Sequence, residues 1–502
     1  MLTRITKRST ATLFQHHLTS RTVIPKSTSS FINTTRSFTS IPTPHIPELP
    51  VLNTVTQYAL AHLPKKSLTN TAIVYIHHAL YSSLPVLSSM FKLGLSPQNT
   101  FVLGKHYSEC KGVVEEAKKM GVHYQPCSRQ SGLGKFSSAF VRDIVLLWES
   151  VARELKDKKE IRDIIIMDHG GHAVAFTPVE IIENYNIVGI EKTTAGLLDK
   201  KACGLFFPLI APALCAAKRV LESPCIADAV VAKLIPLLPS ISATKAYCAV
   251  LGYGAVGKAV ADKLLSLGHR VVVYDCDPNQ LKKITGGAIP TNDNYAVIGY
   301  ADYIFGCSGR ISLPSFEMIR LSNKNKVLIS ASSEDKEFLP MLEFIQRINN
   351  RKVPTTKPLA DVVYTSEMDA QVCLVRGGFP INFDDTGESV PAKEIDLTRS
   401  LNFMSVLQAI DFLNNPQKTH HLKKSGTYML YPALQSLVAT EWLKGQPAKR
   451  FPNETAAQFL DEQWIVSNSG GTHEANTTFK AANTANENVD AKSNDATRTF
   501  RR

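Results

Sequence analysis

Two series of alternating strand-like and helix-like segments run along this chain. From about Val51, Thr71-Ala-Ile-Val-Tyr-Ile76 is a short β-rich run, and Leu80 to Leu93 carries apolar residues at helical spacing. Thr100 to Leu103 predicts a second strand and Gly112 to Met120 a helix. Val141 to Leu155 predicts a further helix, leading into the Ile-rich run Glu160 to Met167, which predicts a buried strand. This order predicts a parallel sheet with helices on both faces. A second series opens at Ser242, with strands expected over Ala246–Leu251, Arg270–Tyr274, Tyr303–Phe305 and Lys326–Ser330. Around Arg376 the chain leaves this series, and Asp396 to Leu413 is again helical.

The pattern implies an α/β protein with two doubly wound parallel-sheet domains. A first domain is expected over 50–235, which the resemblance described below makes the substrate domain, with a second domain inserted at 236–370 and a return segment with C-terminal helices over 371–466. Residues 467–502 are Asn, Thr, Ala and Ser with little to bury, the composition of a disordered tail. The apolar run Ala202 to Ala217 contains Pro208 and Pro212 and ends at Lys218, so it predicts buried core. No stretch reaches the roughly 18 uninterrupted apolar residues of a spanning helix, and no membrane role is expected.

The net charge of +12 would suggest nucleic acid as a partner if it were spread over the fold. Half of it comes from Arg4, Lys7, Arg8, Arg21, Lys26 and Arg36, all of which precede the first acidic residue, Glu48. Segment 1–42 is Arg-rich, Ser-rich and acid-poor, which predicts a mitochondrial transit peptide and a matrix location. A disordered basic arm is the plainer alternative. No nucleic-acid partner is expected. The nine cysteines are scattered without a C-x-x-C pair, which implies a reducing compartment and no structural metal.

The most specific local signal is Gly252-Tyr-Gly254-Ala255-Val256-Gly257, between a predicted strand and a predicted helix. Gly252 suits the tight turn, Gly254 a close approach to a pyrophosphate, and Gly257 close packing of helix on strand. The next strand ends in Asp275, where a carboxylate accepts from both ribose hydroxyls and repels a 2′-phosphate. The inserted segment therefore predicts a Rossmann domain with NAD as its cofactor.

Several segments together resemble the S-adenosylhomocysteine hydrolase family. Its cofactor loop G-Y-G-D-V-G-K-G is similar to GYGAVGKA here, and its ribose acid is followed by x-D-P, as in Asp275-Cys-Asp-Pro278. Its D-D-G-G-D resembles Asp168-His-Gly-Gly-His172, and its G-x-S-E-E-T-T-T-G resembles Gly189-Ile-Glu-Lys-Thr-Thr-Ala-Gly196. Its strand ending in C-L-H resembles Tyr75-Ile-His-His78. The order of these pieces holds from roughly Thr71 to Asn382.

The resemblance implies hydrolase chemistry of one-carbon metabolism, a tightly held NAD and a homo-oligomer. By the same resemblance, Lys218 would stand beside the substrate 3′-hydroxyl with Glu222 orienting it, and His78 would face the substrate. Thr193 and Thr194 would reach the nicotinamide half, Asn382 the carboxamide, and His169 and Lys192 the substrate. Each has a plain alternative: an exposed i,i+4 ion pair for Lys218 and Glu222, a satisfied core histidine for His78, a helix cap for the threonines.

The departures lie on the substrate side. His169 and Lys192 replace family carboxylates, and Ser332 and Glu388 replace family histidines. The expected function is an NAD-holding relative that oxidises a hydroxyl of a nucleoside-like or other small substrate. An inactive NAD-binding partner of an active homologue and authentic adenosylhomocysteine hydrolysis are the alternatives. A 2-hydroxy-acid dehydrogenase would need an Arg with a His/Glu couple. Arg310 stands in a suitable loop, but no such His follows it.

Overall fold

The computed structural model describes residues 45–461 and 463, apart from 65, 129–133, 199–205, 237–240, 242–244, 349–358, 385, 416–425 and 448–449. The basic segment 1–42, the polar tail 467–502 and Cys203 lie outside the described residues. Strands β1 (Thr71–His77), β2 (Thr100–Gly104), β3 (His123–Gln125), β4 (Asp163–Asp168), β5 (Asn186–Glu191) and β6 (Leu209–Ile210) build the first sheet. The second contains β7 (Tyr247–Leu251), β8 (Arg270–Tyr274), β9 (Ile289–Thr291), β10 (Tyr303–Gly306), β11 (Lys326–Ser330), β12 (Val362–Thr365) and β13 (Gln371–Leu374). A last strand, β14 (Thr427–Tyr428), returns to the first sheet.

The sheet orders are β14-β6-β5-β4-β1-β2-β3 and β12-β13-β11-β10-β7-β8-β9. Every pairing is parallel except β12 against β13. In each sheet the chain first winds one way and then restarts on the other side of its first strand. The reversal lies between β1 and β4 in one sheet and between β7 and β10 in the other. At such a switch point neighbouring connections diverge, leaving a crevice beyond the carboxyl ends of the strands.

The residues of β1 are all buried, as a strand covered on both faces requires. Ile73 and Tyr75 join one core cluster and Val74 and Ile76 the other. The helix predicted from Leu80 starts at Leu84 after a 3₁₀ turn over Tyr81–Ser83, with Pro85 in its first turn, where a missing N–H costs nothing. The helix predicted from Val141 begins at Phe136, because Phe136, Ala139 and Phe140 already bury the same stripe as Ile144 and Leu147.

The helix Ala392–Asn414 is buried along nearly its whole length although it carries many polar residues. Most of those groups find partners inside the protein, Asn402 Oδ1 being an exception. Asp396 accepts from the Val51 and Leu52 amides at 2.8 and 3.0 Å and so caps the helix Pro50–His62. Gln408 donates to the Met429 carbonyl at 3.0 Å and accepts from the Tyr431 amide at 2.9 Å.

Elements at both crossings between the domains pack into the core of the second sheet. Val230, Val231 and Leu234 of the helix Ser223–Leu234 already belong to the core of the second sheet, ahead of residue 236. On the way back, β13 remains in the second sheet to Leu374, because fully buried Val372 and Leu374 pack into its core. The return runs through Arg376, Gly377 and Gly378, all at positive φ (52°, 59° and 88°). Within the run Ala202 to Ala217, the described part is buried core except for Phe206, which is 74% exposed, and the partly covered Pro208 and Leu214.

No helix among the described residues is long and apolar enough to cross a membrane. The eight described cysteines are free thiols, and no cluster of metal-ligating side chains occurs among the described residues.

Candidate functional site

The edge of the second sheet at its switch point is shaped by the glycine loop. Gly252 has φ +97°, and a Cβ there would lie 2.7 Å from Ser308 Cα in the loop after β10. A Cβ on Gly257 would lie 1.8 Å from the Gly252 carbonyl oxygen. At Gly254 a Cβ would meet nothing within 4 Å, and the residue is exposed. Two glycines are thus demanded by packing and the third leaves open space. Ala255 and Val256 follow as the first residues of the helix Ala255–Ser266, whose free amides favour anions.

Asp275 stands at the end of β8, half-buried. Its Oδ2 accepts from the Tyr253 amide at 2.6 Å and its Oδ1 from the Asp277 amide at 2.8 Å, which ties the acid to the glycine loop. Glu337 lies beside β10 and β11. It accepts from Ser308 Oγ at 2.8 Å, the Gly309 amide at 2.7 Å, and the hydroxyls of Ser312 and Ser332. Burial pushes its carboxyl up and those donors oppose the shift. Ser332 is therefore engaged in holding a carboxylate.

On the first sheet, β1 and β4 deliver His78 and His169, whose rings meet edge-on at 4.2 Å. His78 also stacks on Phe383 at 4.2 Å, and its Nδ1 lies 2.5 Å from Ser108 Oγ. Burial pushes both imidazoles well below their usual range. For His78 the charges of Lys105, Arg399 and Lys192 add to this, and for His169 the charges include Lys105, Lys192 and Lys218. His169 Nε2 is buried and has no hydrogen-bond partner.

The first-sheet carboxylates hold backbone. Asp168 accepts from the amides of His169 at 2.7 Å and Val174 at 2.9 Å; burial, with Glu191 adding to it, pushes its carboxyl up to about 7. Glu191 accepts from the amides of Gly170, Gly171 and Thr193 at 3.1, 2.7 and 2.8 Å.

Lys218 and Glu222 come together, with Nζ 3.6 Å from Oε2, at one π-helical turn, Lys218–Glu222. Such turns widen a helix by one residue and recur at functional sites. Lys218 Nζ donates to the Lys192 carbonyl at 2.6 Å, and Glu222 accepts from Thr398 Oγ1 at 2.5 Å. The pair is mostly covered, at 13% and 17% side-chain exposure, unlike a solvated surface pair.

Thr193 behaves as a cap: its Oγ1 accepts from the Gly196 amide at 3.3 Å and donates to Glu191 at 2.6 Å. Thr194 is exposed at the first turn of the helix Thr194–Leu198. Asn382 is buried on the return crossing, next to Ile381, whose amide donates to the Ser330 carbonyl at 3.2 Å. Arg310 is exposed.

The two edges face each other. Lys105, directly after β2, donates to Glu334 Oε1 at 3.2 Å across the domain boundary, and His172 Nε2 donates to the same oxygen at 2.9 Å. Lys336 Nζ stands 3.1 Å from the other oxygen. Burial would raise the Glu334 carboxyl, but Lys105, His172 and Lys336 outweigh it and hold it well below the usual carboxylate range. A Cβ on Gly309 would lie 4.0 Å from Ala195 Cβ, which brings the loop after β10 against the helix after β5.

Lys105, Glu334, Glu337 and Arg399 were not singled out from sequence, and Tyr75, His77 and His172 stood there only as members of motifs, without a role of their own. For Lys105 and His77 the available signal was their place at the carboxyl ends of β2 and β1. Nothing local marks Arg399, in the body of a helix, or Glu334.

No protein-family model matches the chain. Two Mycobacterium tuberculosis proteins, each named only as uncharacterized, are 31% identical to it over 346 residues, 68% of this chain. The chain spans 65% of the length of these curated relatives. An adenosylhomocysteinase of Corynebacterium diphtheriae is 32% identical over 113 residues, 22% of this chain and 23% of that enzyme.

Among solved structures, D-2-hydroxyisocaproate dehydrogenase covers 69% of this chain and 97% of its own at TM-score 0.32 and 10% identity. The NAD-dependent formate dehydrogenase of Staphylococcus aureus covers 62% and 92% at TM-score 0.34 and 10% identity.

Proposed function

We propose that the chain is an NAD-holding relative of the adenosylhomocysteinases that oxidises a hydroxyl of a small substrate other than adenosylhomocysteine. The observation that carries this is the glycine loop: Gly252 and Gly257 admit no side chain, Gly254 opens outward, and Asp275 stands beside it. Gly252, Gly254, Gly257 and the helix amides would hold the pyrophosphate and Asp275 the adenosine ribose, which favours NAD over NADP. When bound, the nicotinamide supplies a hydride acceptor.

The chain's own residues supply the rest. Lys218 is the group placed to hold or take a proton at a substrate hydroxyl, and Glu222, at 3.6 Å, orients its ammonium. His78 and His169, kept neutral by burial, can offer hydrogen bonds to a substrate without taking up charge. The family histidine positions hold Ser332, tied to Glu337, and Glu388, tied to Ser82. That rewiring supports a changed substrate, and it equally supports a non-catalytic NAD-binding partner. The proposal includes matrix localisation through 1–42 and a homo-oligomer.

The test uses the purified protein with NAD. Adenosine and homocysteine release is followed on adenosylhomocysteine, and cofactor absorbance at 340 nm on a panel of hydroxylated small molecules. Reduction of the cofactor by a panel member without adenosylhomocysteine turnover is expected. Robust adenosylhomocysteine hydrolysis would overturn the substrate assignment. NAD binding with no reduction by any compound would favour the non-catalytic reading.

A further inference from the structure

On the face of β1 that packs with the helix Ala392–Asn414, the rings of Tyr75 and His77 stack at 4.6 Å. Both residues are at most 1% exposed. The Tyr75 hydroxyl and both ring nitrogens of His77 have no hydrogen-bond partner. Two cations adjoin them. Lys192, 3% exposed, places Nζ 4.4 Å from the Tyr75 ring centroid and donates to a single acceptor, the Ile76 carbonyl, at 2.5 Å. Arg399, 7% exposed, spends Nε and Nη2 on one hydroxyl, Ser82 Oγ, at 3.1 and 2.9 Å.

Neither cation has a carboxylate within ion-pair distance among the described residues. The neighbouring acids are already occupied: Asp168 and Glu191 hold backbone amides, and Glu388 holds the amide and hydroxyl of Ser82, the same hydroxyl that Arg399 uses. Burial pushes His77 well down, and the charges of Lys192 and Arg399 add to this. Two buried cations beside an unused hydroxyl and an unused imidazole form a corner rich in donors and poor in acceptors. Such a corner is costly alone and favourable once a negative group enters.

We propose that this corner binds the oxyanion end of the substrate, a carboxylate or a phosphate, through Arg399, Lys192, the Tyr75 hydroxyl and His77. The inference rests on the reading above and sharpens it: the substrate is an anionic hydroxy compound. Lys218, whose Nζ reaches the Lys192 carbonyl, then stands next to the anchored end. The charge and donor pattern suit a nucleoside without such a group poorly.

The experiment titrates the full chain calorimetrically with sodium phosphate and with sodium malonate, ionic strength being held constant with sodium chloride. NAD affinity is followed separately by protein fluorescence. Saturable binding of at least one anion is expected, weakened about tenfold or more in Arg399→Gln and in Lys192→Gln with NAD affinity unchanged. Arg399→Lys should recover part of the loss, and it replaces Arg399→Gln if that variant does not fold. Preference for phosphate or for malonate identifies the source of the oxyanion. Binding no stronger than that of chloride, or variants that bind as the parent does, would overturn the proposal. Anion binding that falls in Arg399→Gln while NAD fails to bind would overturn the cofactor reading and leave the anion corner standing.

Discussion

The two sheet edges that meet in the cleft share a topology and differ in their polar chemistry. At the β7/β10 edge, Asp275 and Glu337 are acceptors filled by backbone amides and serine hydroxyls, and backbone clearance sets the shape. At the β1/β4 edge the carboxylates are also filled, but Lys192 and Arg399 are left with one acceptor each. One edge is specified by where a side chain cannot be, and the other by which charges are brought together. A loop of the first kind tolerates little change, whereas side chains of the second kind can be exchanged on the same scaffold.

The largest expected effect lies where the edges join. Lys105→Met removes the buried ammonium from Glu334 and leaves it His172 and the partly covered Lys336, a loss of about 3 kcal/mol in urea unfolding. A loss below about 1 kcal/mol would show that the cross-domain pair contributes little beyond what a surface pair does.

The next effect is a matter of pH. The Glu334 carboxyl is held well below its usual range, so its contribution is fully present above about pH 4.5 and disappears as the pH falls toward its folded value. Asp335 beside it behaves oppositely: burial, with Glu334 adding to it, pushes it from 3.8 up to about 7. Its contribution is present below pH 3.8 and lost as the pH rises through about 7. Asp335→Asn should therefore gain stability relative to the parent by a few kcal/mol between pH 4 and pH 7. A difference that stays flat across that interval would contradict the assignment.

Within the glycine loop the three positions should separate. Gly257→Ala is expected to cost about 1–3 kcal/mol and most of the NAD affinity. Gly254→Ala should unfold within about 0.5 kcal/mol of the parent yet bind NAD more weakly, because its Cβ takes up only open space. Equal stability losses at both would erase the distinction between the edges. The smallest effect is that of Thr193→Ala, about 1 kcal/mol through loss of a helix cap, with NAD affinity retained. A selective loss of NAD affinity would instead place Thr193 at the nicotinamide half.

What the sequence made legible follows the same division. The glycine loop reads from sequence because its requirements are local: two packing clearances, an open position and an acid one strand later. Lys218 and Glu222 were legible as neighbours because they are four residues apart, although the turn joining them is π-helical. The rest depends on contacts between distant parts of the chain. Arg399 meets Ser82 across 317 positions and Lys105 meets Glu334 across 229, and no periodicity reports such pairings. The crossings between the domains depend on distant contacts as well. The helix Ser223–Leu234 and strand β13 look like either domain in isolation, and their cores decide which they join.

The triad of Lys105, His172 and Glu334 has a mechanical meaning as well. It ties two bodies through a single carboxylate oxygen, so separating the domains must rehydrate an acid and its bases together. Such a clasp resists small strains and yields all at once. Opening should then be rare and abrupt, with added salt lowering the barrier by shielding the separating charges.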